Sequence, residues 1–308
     1  MGIQITGGAH VNLEILRQIQ RLSNPVLDVL FEGVTMLGEK VLLAGVFCCV
    51  YWCLDKRLGR YLIYALSFTT CFNGFVKDIF RVARPIGQEG IVSKRVETAT
   101  GYSFPSAHTQ SAGAFWWSVG RWVSSDRLEL QRRPTGVRAV RHRRRCGIWA
   151  RWAAVGLVAA VGFSRMYLGL HYLTDVLGGA FFGILSAEAF YRLLQKHEKD
   201  MLPALVCVLM AVAALFAGGS EDTIAAVGMT LGVIAGDWLE QNFVNFEAGG
   251  RPLRRLRRLA VGAVLVGVCY LLPKLLIGSG LAADTLAVAL VAFVGVGGYP
   301  WLIVKLGL

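Results

Sequence analysis

His171 and Asp175 stand four residues apart in "SRMYLGLHYLTDVLGG" (164–179), at the head of an apolar segment. On a helix that spacing puts both side chains on one face. A carboxylate so placed accepts the Nδ1 proton of the imidazole and bares Nε2. Ser164 and Arg165 lie in the short connection just before. A second histidine, His108, follows "FPSA" (104–107) at the head of another apolar segment. Pro105 suits the start of a helix. The Ser106 hydroxyl and the backbone N–H groups of Ser106, Ala107 and His108 then face an anion, and His108 can carry a proton to a leaving group. The third stretch, "KDIFRVARP" (77–85), spaces Lys77, Arg81 and Arg84 by four and three, on one helical face that Pro85 terminates. Arg forks suit phosphate oxygens and Lys adds a point charge. Together the three stretches predict an anion site with a reactive histidine.

The elements that must hold these residues are membrane helices. Of the 308 residues, 55% are hydrophobic and 17% charged, against about 25% charged in soluble domains. Crossing the hydrocarbon takes about 20 residues. Nine apolar segments qualify as candidates: 37–54, 60–80, 108–124, 148–163, 171–193, 201–217, 223–243, 259–277 and 284–305. The expected fold is an all-α polytopic membrane protein. The first 36 residues read as an amphipathic interfacial helix broken near Pro25, with no signal peptide.

Most of the 32 Lys and Arg fall in alternate connections, at 55–60, 121–151, 192–199 and 251–258 and at Lys305. The positive-inside rule places those connections in the cytoplasm and, with an odd number of spans, the N-terminus outside. The three reactive stretches then share the outer face, at the ends of spans two, three and five. An intramembrane ionisable cluster is a functional site by default. A net charge of +12 would suggest nucleic acid in a soluble protein. Here the basic run at 132–147 reads as a topological anchor, with anionic lipid or RNA as the other reading, and no nucleic-acid partner is expected. Six of the seven cysteines lie in apolar spans without ligand-like spacing, so neither a disulfide nor a metal cluster is predicted. His142 and His197 lie in basic segments and read as solvated surface, and His10 lies in the N-terminal tail with no partner visible in the sequence.

The three stretches resemble K-x6-RP, PSGH and SR-x5-H-x3-D, the signature of the type 2 phosphatidic acid phosphatase family, related to the vanadium haloperoxidases. They occur in the family's order over 77–175. Ala107 departs from the pattern, standing where the family usually has Gly. Its N–H remains while a methyl is added and strained backbone becomes less accessible, so a tolerated change with a different fit around phosphate is expected. The resemblance implies that His171 attacks phosphorus, Asp175 orients it, and His108 protonates the leaving oxygen and then activates water. Lys77, Arg84, Arg165, Ser106 and the backbone at Ala107 would hold the phosphate oxygens. No cofactor and no metal are implied. Arg81, Asp78 and Thr109 lie outside the signature and read as local support. The implied organisation is an N-terminal segment 1–36, a six-span catalytic core over 37–200, and an extension at 201–308 with about three more transmembrane helices.

That layout is similar to the sphingosine-1-phosphate phosphatases and to the glucose-6-phosphatases of the endoplasmic reticulum. Reactive groups at span ends sit at headgroup depth, so the expected substrate is a lipid phosphate monoester: a sphingoid-base phosphate, phosphatidic acid or a polyprenyl (di)phosphate. A soluble sugar phosphate such as glucose-6-phosphate is the alternative, read by Gln88, Glu89, Lys94 and Arg95 in the 86–100 loop. Transfer of the phosphoryl group to a lipid alcohol would use the same residues. A transporter or scaffold that kept the fold would lack a motif His or Arg, and here each is present. The composition suggests a bacterial plasma membrane with the site on the extracytoplasmic face, or a lumenal face in a eukaryote; it gives no oligomeric state. In the extension, Lys274 reads as snorkelling to water or touching a headgroup, and Asp237 and Glu240 as ion-pair partners of "RPLRRLRR" (251–258).

Overall fold

Every described element is helical. The structure, a computed structural model, describes residues 6–125, 137–198 and 200–308, except the side chains of 6–10 and 137–145. The His10 and His142 side chains, residues 132–136 of the basic run and the side chains of 137–145 therefore lie outside what is described. In chain order the α-helices are α1 (Thr6–Gln20), α2 (Pro25–Thr35), α3 (Lys40–Cys49), α4 (Lys56–Phe80), α5 (Ala107–Val123) and α6 (Val137–Tyr167). They continue as α7 (Leu173–Lys196), α8 (Leu202–Ala217), α9 (Glu221–Leu239), α10 (Pro252–Ile277), α11 (Leu281–Phe293) and α12 (Tyr299–Leu306). Single π-helical turns extend α3 (Val50–Leu54) and α9 (Glu240–Val244) and join α11 to α12 (Val294–Gly298).

The nine apolar segments are helical over most of their length, and the chain leaves the helix at Glu39 and at 171–172. Five helical runs among the described residues are long and apolar enough to cross a membrane: Cys146–Tyr167, Leu173–Lys196, Glu221–Val244, Pro252–Ile277 and Leu281–Leu306. A sixth is added if the broken pair Pro25–Gly38 and Lys40–Leu54 forms one span. The chain is an all-α polytopic membrane protein. The remaining candidate segments fall short of that measure of length and composition. Helix α5 has 17 residues, and α4 carries Arg60, Asn73, Lys77 and Asp78 among its buried positions.

Two compact units form, Met1–Leu43 with Ile79–Arg192, and Ala44–Asp78 with Leu193–Leu308. They do not coincide with the segments 1–36, 37–200 and 201–308. In the first unit the N-terminal helices join the helices that carry the motifs. Asn24 caps α2, its Oδ1 accepting from the N–H groups of Val26 (3.1 Å) and Leu27 (3.0 Å), with Pro25 at the first helical position. Ile19, Leu27 and Phe31 pack on Tyr167, Leu168 and Leu170 at the end of α6. Polar ties reinforce this seat. The Tyr167 hydroxyl donates to Asp28 Oδ1 (2.7 Å), and Lys94 pairs with Asp28 (2.5 Å) and Arg95 with Glu39 (2.9 Å).

In the second unit, segment 44–78 joins the extension through buried polar pairs. Arg60 grips Asp237 with two nitrogens, Nε to Oδ1 at 2.7 Å and Nη2 to Oδ2 at 3.0 Å, and the Tyr64 hydroxyl donates to Oδ2 at 2.7 Å. Lys56 pairs with the fully buried Glu240 at 2.5 Å. Asp237 and Glu240 are thus ion-paired as expected, but with α4 rather than with 251–258, whose Arg258 donates to the carbonyls of Trp52, Glu247 and Gly249. Lys56 and Arg60, counted above as loop cations, are pairing residues of the first turns of α4. Helix α9 offers the stripe Gly228, Gly232 and Gly236 to α11 and the π turn after it, the small-residue spacing that lets membrane helices approach closely. Lys274 pairs with Asp284 at 2.7 Å and meets the Tyr270 hydroxyl at 3.0 Å, so a carboxylate rather than water holds it.

Removing one partner of a buried pair strands the other charge, at a cost of about 3–5 kcal/mol. Asp237→Ala is expected to lower the thermal unfolding midpoint in detergent sharply, while Arg60→Met with Asp237→Leu recovers most of the loss. A single variant as stable as the parent would show the pair to be solvated.

Candidate active site

Helix α7 begins with a capping arrangement that gathers the reactive residues. Tyr172 precedes the first helical residue, and Asp175 in the first turn reaches back so that Oδ2 accepts the Tyr172 N–H at 2.8 Å. The same oxygen accepts from Ser103 Oγ at 2.5 Å and lies 3.3 Å from His171 Nδ1. His171 and Asp175 are both buried. The pair therefore meets, but not as two turns of one helix: His171 lies in the connection before α7. Gly169 makes that connection possible by taking φ +68 after α6, a conformation that costs other residues strain.

Arg84 closes the other side of the imidazole. Its Nη1 lies 2.9 Å from His171 Nε2 and also donates to Leu170 O at 3.1 Å. Its Nε and Nη2 donate to the carbonyls of Gly101 (2.9 Å) and Thr100 (2.6 Å). A guanidinium has only donors. Nε2 must therefore hold the lone pair and Nδ1 the proton that faces Asp175. Arg84 reaches this position because α4 ends early. Phe80 is its last residue and Arg81 takes φ +48, a left-handed helix end. Arg81 and Arg84 thus do not share a helical face with Lys77, and Pro85 is not the stop. Lys77 is buried in the last turn of α4 and belongs to the second unit. Beside it, Asp78 Oδ2 accepts from Ser220 N (3.3 Å) and Thr223 Oγ1 (3.2 Å), capping the start of α9.

Ser106 is the N-cap of α5, so Pro105 precedes the helix rather than opening it. The Ser106 N–H is spent on Asp175 O at 3.0 Å, and Ser106 Oγ accepts from Thr109 Oγ1 at 3.0 Å. The N–H groups of Ala107 and His108 occupy the first two helical positions, where no intrahelical acceptor exists. Ala107 is helical, so its methyl meets no positive-φ requirement. The approach of α5 to α7 depends on Gly179, where a Cβ would lie 2.7 Å from Ser106 O. His108 is half-buried at the second position of α5.

Arg165, in the last turn of α6, is fully buried. Its Nη1 donates to Thr35 Oγ1 at 3.2 Å and Thr98 Oγ1 at 3.1 Å, while Nε and Nη2 have no hydrogen-bond partner. Arg84 and Arg95 are near enough for their charges to act on it. The Nε/Nη2 edge is the fork that binds a carboxylate or phosphate with two parallel bonds. Tyr172, at the rim, has its phenol pushed above the ordinary range by burial and by the Asp175 carboxylate.

Residues 58–199 match the PAP2 superfamily, and residues 224–308 match the transmembrane extension of PAP2 superfamily phosphatases. The chain belongs to the PAP2 superfamily. It is 23% identical over 291 residues to lipid phosphate phosphatase delta of Arabidopsis thaliana, covering 89% of this chain and 65% of that one. It is 28% identical over 181 residues to sphingosine-1-phosphate phosphatase 1 of Mus musculus, covering 57% of this chain and 37% of that one. Glucose-6-phosphatase 3 of Mus musculus is 28% identical over 301 residues, covering 90% of this chain and 82% of the relative. The chain thus spans less than two thirds of the length of the first two relatives. No solved structure matches it.

Ser103, Thr35 and Thr98 contact these residues and carry no motif of their own. Ser103 lies three residues before Ser106 and directly precedes "FPSA", a proximity that is a usable signal. Thr35 carries none, because only the fold brings it to Arg165 from 130 residues away.

The Arg84 contact gives a direct test. With 15N-labelled histidine, His171 is expected to be the Nδ1–H tautomer at neutral pH, and Arg84→Gln should weaken that preference. An Nε2–H tautomer in the unaltered protein would refute the assignment.

Proposed function

We propose that this chain is a phosphatase for a lipid phosphate monoester, working through a phosphohistidine on His171 and needing no metal. The observation that carries this reading is the fully buried Arg165, whose Nε and Nη2 have no protein partner. Leaving such donors unmade costs about 1–3 kcal/mol each, more for a charged group. A bidentate phosphate offsets that cost.

In the first step the His171 Nε2 lone pair forms the bond to phosphorus and the P–O ester bond breaks. The departing oxygen takes a proton from His108. Asp175 accepts the Nδ1–H of the now cationic ring. In the second step His108 takes a proton from water, the water oxygen bonds to phosphorus as the P–N bond breaks, the electron pair returns to His171 Nε2, and inorganic phosphate leaves. Arg165, Arg84 and the backbone N–H groups of Ala107 and His108 hold the phosphate oxygens as charge redistributes. Ser106 and Lys77 complete the set on the strength of the motif resemblance. Arg84 Nη1 stands on Nε2 in this arrangement, so it must pass from nitrogen to a phosphate oxygen when substrate enters.

A lipid is favoured over a sugar phosphate by the fate of the 86–100 loop. Lys94 and Arg95 are tied to Asp28 and Glu39, which removes both as readers of sugar hydroxyls. Lipid phosphate and sphingosine-1-phosphate phosphatases among the relatives support the same class. The sugar-phosphate reading rests on the glucose-6-phosphatase relative, which matches nearly the whole chain. The distribution of Lys and Arg supports an extracytoplasmic or lumenal site, and the composition a bacterial plasma membrane.

Phosphate release should be measured in detergent with EDTA present, on sphingosine-1-phosphate, phosphatidic acid, a polyprenyl diphosphate and glucose-6-phosphate. EDTA-resistant release from a lipid is expected, with His171→Ala reducing kcat by about 10³-fold or more. Release from glucose-6-phosphate alone would replace the substrate class. Silence of the folded protein on all four would sink the hydrolase reading. Lys274→Ala, away from the motifs and held by Asp284, should keep turnover within about tenfold of the parent, a 1.4 kcal/mol limit.

A further inference from the structure

Ser103 is fully buried beside the reacting histidine, and the mechanism above assigns it nothing. Its N–H is fixed by Val82 O at 2.8 Å, which sets the side chain's place. Its hydroxyl donates to Asp175 Oδ2 at 2.5 Å and lies 3.4 Å from His171 Nδ1. Oδ2 therefore serves three donors, and the histidine's contact, at 3.3 Å, is longer than those of Ser103 and the Tyr172 N–H at 2.8 Å. A hydrogen bond to a carboxylate stabilises its charge and leaves less of it for other donors.

We propose that Ser103 is a positioning residue for the histidine chemistry, holding the Asp175 carboxylate so that Oδ2 faces the ring while drawing off part of its acceptor strength. The consequence for turnover rests on the phosphatase reading. The attacking imidazole must be neutral. A carboxylate fully devoted to His171 would stabilise the imidazolium and withdraw the nucleophile at mildly acid pH. Ser103 counters that pull while keeping the carboxylate in place.

The charged groups that contact His171 among the described residues come from separate elements. Arg84, from the segment after α4, faces Nε2, and Asp175, from α7, faces Nδ1. Tyr172 follows in the chain, and the neighbouring helices α5 and α6 contribute His108 and Arg165.

Ser103→Ala and Ser103→Thr separate this role from plain packing. In the Ala variant the acid limb of the kcat profile is expected to move up by about 0.5–1 pH unit, with KM within about twofold, because the carboxylate regains its full pull. Thr keeps the hydroxyl and should restore the limb. The His171 midpoint, followed by 15N-histidine NMR, should rise in Ala and not in Thr. This readout needs no turnover. An Ala profile and midpoint that superimpose on the parent would overturn the proposal even if the phosphatase reading stands. A midpoint that moves in a folded protein silent on every substrate would sustain the role of Ser103 and refute the phosphatase reading instead. Loss of folding in Ala leaves the Thr variant, whose midpoint must match the parent; a displaced one counts against the idea.

Discussion

One residue, Asp175, organises the first unit. Its side chain caps α7 and takes the His171 and Ser103 donors, and its main-chain carbonyl takes the N–H of Ser106, the cap of α5. Two histidine-bearing stretches that are 63 residues apart in number, His108 and His171, are thereby fixed to one turn of chain. A buried carboxylate is costly to ionise unless hydrogen bonds compensate. Here the helix start, a hydroxyl and an imidazole provide that compensation. The group that completes the fold of this turn also sets the tautomer of the reactive ring.

The N-terminal helices belong to that same arrangement. Ile19, Leu27 and Phe31 cover the end of α6, Thr35 holds the Arg165 guanidinium, and Asp28 and Glu39 hold the loop through Lys94 and Arg95. An interfacial segment on its own would need no such specific polar ties. These helices hold Lys94 and Arg95 of that loop in ion pairs, while Gln88 and Glu89 stay exposed.

The sequence made the motif residues and the all-α membrane class legible because chemistry and apolar length are local properties. His171 to Asp175 is a four-residue spacing, and twenty apolar residues announce a span whatever they pack against. What it did not reveal is where the chain turns. The left-handed Arg81 ends α4 before Pro85, and Ser106 rather than Pro105 caps α5. Both follow from tertiary bonds, Ser103 N to Val82 O and Ser106 N to Asp175 O, that no local pattern encodes. The same holds for Asp237 and Glu240. Ion pairing was readable from burial of acids near a basic run, but the partners came from α4, almost 180 residues earlier in the chain.

Three buried arginines differ in what their nitrogens meet. Arg60 has all three nitrogens matched: Nε and Nη2 on the Asp237 carboxylate and Nη1 on Glu198 O at 2.8 Å. Its charge is neutralised in place, and it serves the fold. Arg258 lacks a partner only at Nε, while main-chain carbonyls hold its other two nitrogens. Arg165 is buried as deeply, yet its Nη1 meets two neutral hydroxyls and its Nε/Nη2 edge meets none. Burial of a guanidinium without an anion is among the least favourable arrangements a protein can hold. It persists where packing over-determines the side chain, as Thr35 and Thr98 do here from two separate elements. The same residue type at similar depth thus sits in opposite surroundings, its charge matched by a carboxylate in Arg60 and its Nε/Nη2 edge unmatched in Arg165.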